Sequence, residues 1–309
     1  MAENGGPFAG RRGTGFGYTV SMSHFKRVGV VVKPGFDEHD HLVHGVLKEL
    51  RESECAVSGD SVALSFDAAL ATLEVSLLDL LIIIGGDGTI LRAIRELRPE
   101  CPLLSINRGR LGFLTELSAE EAVATLSFFL KGGGVVEQRA LLAVEARRER
   151  DLIFSGDALN EAVIAQGSIA RLIDLRAEVN GEELTTFRSD GLILSTPTGS
   201  TAYSLAAGGP IVHPKLSAMI LTPINPQSFS QKPVVLPGVA EVVVEILEKL
   251  HESDPAEVSL TLDGQRYVRL CRGDVVHVRS SDYRVSFLRR KEETFLQTLR
   301  VKLGWGESA

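Results

Sequence analysis

One pattern constrains the first part of the chain most: short apolar runs alternate with segments whose apolar residues recur at helical spacing. The run from Leu80 to Ile84 is apolar at every position, and mostly apolar runs cover 28–32 and 103–106. Apolar residues repeat every three or four positions over 42–50 and 122–130. Strands that are apolar throughout belong to parallel sheets covered by helices on both faces. The pattern therefore predicts an α/β domain with a Rossmann-like parallel sheet.

The pattern changes after the three consecutive glycines at 132–134, and the rest of the chain is mostly β in character. Asn180-Gly181 and Asp263-Gly264 lie between strand patterns, where tight hairpin turns need residues that tolerate positive φ. The predicted strands are 140–146, 161–166, 172–179, 184–187, 191–196, 217–222, 241–247, 258–263, 266–270, 274–279 and 284–288. They predict a mostly β, sandwich-like second domain. Helical spacing returns over 291–303 and predicts a last helix that returns to the first domain.

These patterns divide the chain into segments. Residues 1–23 are rich in glycine and lack an apolar stretch, which is typical of a flexible tail. We expect an α/β nucleotide-binding domain over 24–134 and a β-rich domain over 135–288. The segment 289–305 is predicted to pack back on the α/β domain.

Composition narrows the class of protein. Apolar residues make up 44% of the chain, enough to bury a sizeable core. The balance of 33 basic against 40 acidic side chains argues against a nucleic-acid binder. No apolar run approaches the length that crosses a membrane, so no membrane partner is expected. The three cysteines, Cys55, Cys101 and Cys271, are far apart and odd in number, which favours reduced thiols in a cytoplasmic protein.

The sequence Gly85-Gly86-Asp87-Gly88-Thr89 directly follows the most apolar run and precedes a helical pattern. Glycine lets the backbone approach a ligand closely, and free N–H groups at a helix start favour phosphate. An acid in such a turn would repel phosphate, so Asp87 is predicted to take a proton from a hydroxyl or to face a metal ion. Helix capping is the simpler alternative. Neither G-x-x-x-x-G-K-[ST] nor G-x-G-x-x-G occurs, which excludes a P-loop enzyme and disfavours an ordinary dinucleotide fold.

Three later stretches also carry polar chemistry. The loop 107–115 follows a predicted strand, at the carboxyl edge where open α/β sheets bind ligands, and its Phe113 could lie against a base or fill the core. Asn160 and Glu161 offer amide and carboxylate groups suited to ribose hydroxyls, although such a pair is also common in surface turns. The run 196–210 is rich in hydroxyls and glycines, which favours the wall of a polar pocket.

Taken in order, these motifs resemble the NAD kinase family. The motifs are G-G-D-G-T, N-x-G-x-L-G-F-L, N-E, R-S-D-G-L and T-P-T-G-S-T-A-Y-S-L-A-A-G-G-P, within residues 26–290. The T-G-S-T-A-Y segment is the most specific, whereas G-G-D-G-T also occurs in diacylglycerol and sphingosine kinases. The resemblance implies phosphorylation of the adenosine-ribose 2′-hydroxyl of NAD, with ATP or polyphosphate as donor. It also implies a divalent metal cation, with magnesium expected, and a homodimer or homotetramer whose NAD pocket a neighbouring subunit completes.

The resemblance also assigns roles to residues. Asp87 takes the position of the general base, and Gly85, Gly86, Gly88 and Thr89 form the phosphate and ATP turn. The NAD-binding positions are Asp87, Gly88, Arg92, Phe113, Asn160, Glu161, Arg171, Arg188, Asp190, Thr201, Ala202, Tyr203, Ser204, Leu205, Ala206 and Gln265. No metal ligand is assigned. Gln227 stands where relatives often carry histidine, which puts in doubt a metal or phosphate role for that loop.

Two other functions stay open from the residues. A lipid kinase of the diacylglycerol type shares the glycine-rich turn, but it leaves the T-G-S-T-A-Y segment without a reason and would need an apolar entrance. A catalytically silent NAD-binding sensor would not need the acid at Asp87, because binding alone requires no general base. A coupled assay for NADP formation separates the three.

Overall fold

The computed structural model describes residues 24–109, 112–167, 172–247, 258–291 and 295–305. The tail expected over 1–23 lies outside these residues. Within the described part of the chain, no helix is long and apolar enough to cross a membrane.

The first part of the chain forms the predicted parallel sheet. Strands β1, β4 and β5 pair in parallel at its centre, and β2 and β3 extend it beyond β1. The elements are β1 (Arg27–Val32), α1 (His41–Glu52), β2 (Ala56–Gly59), α2 (Ser61–Phe66), β3 (Ala71–Thr72), a 3-10 turn (Val75–Leu77), β4 (Leu80–Ile84), α3 (Asp87–Leu97), β5 (Leu103–Asn107), β6 (Leu117–Ser118) and α4 (Ala119–Leu130).

Helices cover both faces of this sheet because alternate residues of each strand point to opposite sides. Ile82 and Ile84 pack in a core that includes the apolar faces of α1 and α4. Leu81 and Ile83 pack in a second core with the apolar face of α3. All of β4 is therefore buried, and the α/β fold predicted for this part of the chain is confirmed.

The second part of the chain is mostly antiparallel β, as predicted. Its elements are β7 (Val135–Arg148), β8 (Asp151–Ala158), β9 (Glu161–Gln166), β10 (Ile173–Val179), β11 (Glu182–Ser189), β12 (Gly191–Ser195), a 3-10 turn (Gly199–Thr201), α5 (Tyr203–Ala206), β13 (Ala218–Ile224), β14 (Val234–Pro237), β15 (Val242–Leu247), β16 (Val258–Leu262), β17 (Arg266–Leu270), β18 (Val275–Arg289) and α6 (Phe295–Leu303). Six strands form one sheet in the order β14-β13-β12-β9-β16-β17. A shared core joins this sheet to β7, β10, β15 and β18, so the arrangement is sandwich-like.

Strand β18 links the two parts of the molecule. It pairs antiparallel with β7 and β15, and Phe287 near its end pairs in parallel with Leu103 of β5. One large sheet therefore runs through both domains. The sequence predicted two strands here, 274–279 and 284–288, whereas the structure has one. The register against β7 shifts between Ser280 and Arg284, and this irregularity interrupts the apolar alternation on which the prediction rested.

The end of the chain contacts both domains. Arg290 forms an ion pair with Glu121 of α4, with Nη2 and Oε2 2.8 Å apart. A final helix is present, and the ring of Phe295 at its start lies 5.1 Å from the ring of His213 in the β-rich domain. Packing of the whole segment 289–305 on the first domain therefore stays a prediction.

Candidate active site

The glycine-rich turn forms the junction between β4 and α3. Gly86 is extended and precedes the first helical residue, Asp87. A Cβ on Gly85 would lie 2.5 Å from Oγ1 of Thr89, so a side chain at this buried position would displace Thr89. Gly86 and Gly88, in contrast, have open space where a side chain would stand. The outer face of the turn therefore presents bare backbone at a helix start, where an anionic group can bind.

The Asp87 carboxylate faces the loop that follows β5. The N–H of Phe113 donates to Oδ2 at 3.2 Å, and the N–H of Leu114 donates to Oδ1 at 3.4 Å. A Cβ on Gly112 would lie 2.0 Å from Oδ1, so only glycine fits there without a shift. These contacts bind the carboxylate to a second loop, which simple helix capping would not require.

The β-rich domain reaches this turn through Gln265. Its Nε2 donates to the carbonyl oxygen of Gly88 at 2.9 Å, and its Oε1 accepts from Nη1 of Arg95 at 2.7 Å. Gln265 lies in the hairpin between β16 and β17. The structure therefore places Gln265 on the first turn of α3, beside Asp87, and a contact with NAD stays a prediction.

The same hairpin holds Asn160 and Glu161 through Asp263, a residue that the sequence predicted only as part of a turn. The Asp263 carboxylate accepts from the backbone N–H groups of Leu159, Asn160 and Glu161 at 2.9, 2.8 and 3.1 Å. Burial raises the pKa of Asp263, while these three hydrogen bonds and the charge of Arg95 oppose the rise. A turn motif gives no signal for such a role, because the three donors are about 100 residues earlier in the chain.

Glu161 is a buried carboxyl group at the start of β9. Burial, and then the nearby charge of Asp263, raise the pKa of Glu161 to about 8, although the Tyr203 N–H lowers it. Among the described residues, no hydrogen-bond partner is found for its Oε2. Buried polar atoms usually have partners, so this oxygen is suited to a hydroxyl group of a bound ligand.

The loop after β12 packs directly on Asn160. The N–H of Thr196 donates to the carbonyl oxygen of Asn160 at 2.9 Å, and the Thr196 hydroxyl donates to that of Leu159 at 2.6 Å. A Cβ on Gly199 would lie 2.1 Å from the Asn160 oxygen. Tight packing therefore fixes the start of this loop.

The remainder of this loop has an inner and an outer side. Ser204 is fully buried, and its hydroxyl lies 3.0 Å from that of Thr222, so it anchors the loop. The other predicted NAD-binding positions are at least partly exposed: Thr201, Ala202, Tyr203, Leu205 and Ala206. These exposed positions are the ones that a bound ligand can reach.

Other predicted site residues lie apart from this cluster. Glu161 pairs with Ser195, whereas Asp190 lies beside Gln166 at the far end of β9 and β12. That end is about 17 Å from Glu161 at about 3.4 Å per residue. The exposed Arg188 lies near the end of β11, two residues before Asp190, with its Nε 3.9 Å from Oδ1 of Asp174.

Three further positions complete the comparison with the predicted site. Arg92 is half-buried on α3, one turn beyond Asp87, and Phe113 is half-buried in the loop that holds the Asp87 carboxylate. Arg171 lies outside the described residues. Within the described ranges, no group of three or more histidine, cysteine or acidic residues could hold a metal ion by itself.

An acid on a glycine-rich turn after a buried strand, with a second domain hydrogen-bonded to the same turn, is the arrangement expected of a nucleotide-dependent phosphotransferase without a P-loop. Comparison with known families gives the same class. Residues 28–134 match the ATP-NAD kinase N-terminal domain, and residues 159–290 match the ATP-NAD kinase C-terminal domain. The chain belongs to the NAD kinase family.

Individual relatives agree over most of the chain. The NAD kinase of Geobacter metallireducens is 43% identical over 75% of this chain and 80% of its own length. The NAD kinase of Acidobacterium capsulatum is 38% identical over 91% of this chain and 99% of its own length. Yeast NADH kinase, solved in complex with NADH, is 26% identical with a TM-score of 0.83, over 93% of this chain and 89% of its own. An NAD kinase from Archaeoglobus fulgidus, solved in complex with ATP, is 29% identical with a TM-score of 0.70. The match covers 90% of this chain and 98% of that chain.

Proposed function

We propose that the protein transfers the γ-phosphoryl group of ATP to the 2′-hydroxyl of the adenosine ribose of NAD, forming NADP and ADP. The observation that carries this proposal is the position of the Asp87 carboxylate. It lies on the bare glycine turn of the α/β domain and, through Gln265, next to the hairpin that holds Asn160 and Glu161. A donor on the turn and an acceptor in the β-rich domain would therefore meet at Asp87.

Asp87 acts as the general base in this proposal. One carboxylate oxygen accepts the proton of the 2′-hydroxyl while the ribose oxygen attacks the γ-phosphorus, and ADP leaves on the opposite side. The N–H groups of Phe113 and Leu114 keep the carboxylate from rotating. Because phosphoryl transfer depends mainly on alignment and on neutralisation of charge, a fixed base and a close backbone approach contribute most.

The acceptor side is assigned to the β-rich domain. Asn160 and Glu161 bind ribose hydroxyls, and the unpartnered Oε2 of Glu161 supports that role. The partly exposed positions from Thr201 to Ala206 enclose the dinucleotide. Arg92 offsets phosphate charge from α3, in a protein whose net charge is −7.

A divalent cation, with magnesium expected, would supply charge neutralisation on the donor phosphates. Magnesium in such sites is held by one or two carboxylates together with the phosphates and water, not by a cage of protein ligands. The described residues fit this mode, because Asp87 lies at the phosphate turn while no protein cluster could hold a metal alone. Asp87 is the residue that would face the cation.

The separation of Arg188 and Asp190 from Glu161 supports a homodimer or homotetramer. Asp190 accepts from Gln166 and Asn225 at 3.1 and 3.0 Å, so its carboxylate is held in a fixed position. At the far end of β12 it is well placed to complete the NAD pocket of a neighbouring subunit. The free cysteines Cys55 and Cys101 support a cytoplasmic location.

The test is a coupled assay that contains NAD, magnesium and either ATP or polyphosphate, and reads NADPH through an NADP-specific dehydrogenase. We expect turnover that depends on both NAD and donor. Consumption of ATP in the presence of diacylglycerol, but not in the presence of NAD, would indicate the lipid kinase. NAD binding without turnover by the wild type would indicate the silent sensor.

A further inference from the structure

Four charged residues form a row where the two domains join. Glu116 lies in the loop after β5, Glu137 and Arg139 lie on β7, and Arg289 ends β18. Their side chains are 5, 17, 7 and 3% exposed, in that order. We call these four residues the buried ion chain.

One end of the buried ion chain holds the loop that orients Asp87. Nη1 of Arg289 lies 3.2 Å from Oε2 of Glu116, and 3.4 and 3.3 Å from the carbonyl oxygens of Leu114 and Thr115. The Leu114 N–H is one of the two donors to the Asp87 carboxylate. Arg289 therefore holds the backbone of Leu114, and Leu114 in turn orients the Asp87 carboxylate.

The other end holds the loop that packs on Asn160. Nη1 of Arg139 donates to the Thr198 hydroxyl at 3.1 Å. Thr198 precedes Gly199, whose backbone lies against the Asn160 carbonyl. Arg139 therefore fixes the loop beside the acceptor-side residues.

Glu137 joins the two ends. Its carboxylate forms an ion pair with Arg139 and a second one with Arg289, whose Nε is 3.8 Å away. The ring of Phe287 also contacts both guanidinium groups, at 6.0 and 5.1 Å from its centroid. Glu137 and Phe287 are directly opposite each other in the β7–β18 ladder. The centre of the buried ion chain therefore lies on the strand pair that joins the domains.

Stability alone gives a poor reason for this arrangement. Burying ion pairs costs about as much in desolvation as their attraction returns, and apolar residues of similar volume often stabilise as well. Among the described residues, the Nε atoms of Arg139 and Arg289 have no hydrogen-bond partner, so the pairing is incomplete. What the four residues do provide is a continuous series of polar contacts from the loop on Asp87 to the loop on Asn160, in which Glu137 and the Phe287 ring bridge the two guanidinium groups.

We propose that the buried ion chain is a positioning device that sets the base on the donor side and the loop on the acceptor side relative to each other. Arg139 and Arg289 are positioning residues that touch neither substrate. The proposal rests on the function proposed above. It requires that the two ends act together, since aligned phosphoryl transfer fails when either side moves.

The test uses Arg139→Lys and Arg289→Lys, which keep the charge but lose the planar fork of donors. Arg148→Lys is the matched control. Arg148 lies on the same strand and pairs with the buried Asp274 through two 2.9 Å contacts. It is nine residues from Arg139, which places it about 30 Å along the strand from the buried ion chain. We expect kcat to fall about 10- to 100-fold in Arg139→Lys and Arg289→Lys, with little change in either KM, because misplacement acts on alignment. Arg148→Lys also weakens a pair with a fully buried carboxylate and should keep kcat.

The double variant tests the coupling. If both arginines act through one device, Arg139→Lys with Arg289→Lys should lose little more kcat than the worse single variant, whereas independent effects multiply. Unchanged kcat in the folded single variants, kcat losses that multiply, or an equal kcat loss in Arg148→Lys would each overturn the proposal. Glu137→Gln, which keeps volume and removes the shared carboxylate, is the second variant if either lysine variant fails to fold, and it too should lower kcat alone. Absence of wild-type turnover would refute the proposed function instead, so the two failures are distinct.

Discussion

The two sides of the candidate active site, one in the α/β domain and one in the β-rich domain, are built in different ways. On the α/β side, Gly85 to Asp87 are placed by their immediate neighbours, since a buried strand ends, a turn follows and a helix begins. On the β side, Asn160 and Glu161 are held by Asp263 and by Thr196, which are distant in sequence. The backbone of the first side is a local structure, although distant residues orient the Asp87 carboxylate, and the second side exists only when the whole domain has folded.

This difference leads to different sensitivities. A change on the outer face of the turn, at Gly86, should affect chemistry while stability is kept, because an added side chain there meets open space. A change around Glu161 should affect both ligand binding and stability, because the group is buried beside another acid.

The largest effect is expected for Asp87→Asn. The amide cannot accept the hydroxyl proton, so kcat should fall about 10²- to 10⁴-fold, the usual contribution of general-base catalysis. An asparagine also keeps one acceptor for the N–H groups of Phe113 and Leu114, so the fold and NAD binding should persist. Rapid-quench or coupled kinetics measure turnover, and calorimetry measures NAD binding. Wild-type turnover in this variant would refute the assignment of the base.

Glu161→Ala should act on binding. Removing a partner from a buried hydrogen-bonded site costs about 1–3 kcal/mol, which corresponds to a rise in the KM for NAD of about 5- to 150-fold. The KM for ATP should change little, because the donor is assigned to the glycine turn. The exposed Glu182→Ala is the control and should change neither constant. A selective rise in the ATP requirement would place Glu161 on the donor side and contradict this division of roles.

Two glycine substitutions separate the turn from its support. Gly86→Ala meets open space in the free protein, so Tm should stay the same while turnover falls about tenfold, because the added methyl group keeps phosphate from the backbone. Gly112→Ala adds the same methyl group 2.0 Å from Oδ1 of Asp87 and should lower both turnover and Tm. Thermal melting and the coupled assay measure both. Full activity in Gly86→Ala would show that the donor does not approach that backbone.

The contrast between the two sides also explains what could be predicted from the sequence. The strands Leu80–Ile84 and Glu161–Gln166 follow from local patterns, and the structure has them at the predicted bounds. Strand β8 was not predicted, because its half-buried residues do not alternate with exposed ones. The role of Asp263 could not be predicted either, since a hairpin turn looks the same whether or not its acid binds a distant backbone.

The same limit applies to the residues between the domains. Glu137 and Arg289 lie just outside the predicted strands 140–146 and 284–288, and nothing in the sequence indicates that both are buried and paired. Local periodicity predicts which residues form an element, whereas the partners of a buried charge depend on how distant elements meet. The motif resemblance assigns substrate-binding roles to residues, which stay predictions, and it gives no indication of the contacts that hold those residues.

The last effect is on stability alone, which should change with pH. The pKa of Glu161 is about 8 in the folded protein and lies near 4.5 when the chain is unfolded. Between these values the folded state retains a proton that the unfolded state has lost, so the free energy of unfolding falls as pH rises, by at most about 1.4 kcal/mol per pH unit. Below about pH 4.5 both states are protonated and this contribution is constant. Glu161→Gln removes the titration, so its Tm relative to the wild type should rise between pH 5 and pH 8 in ligand-free protein, whereas that of the exposed Glu182→Gln should not. If Tm instead changes with pH in the same way in all three proteins, Glu161 is already ionised at pH 5 and the prediction is wrong.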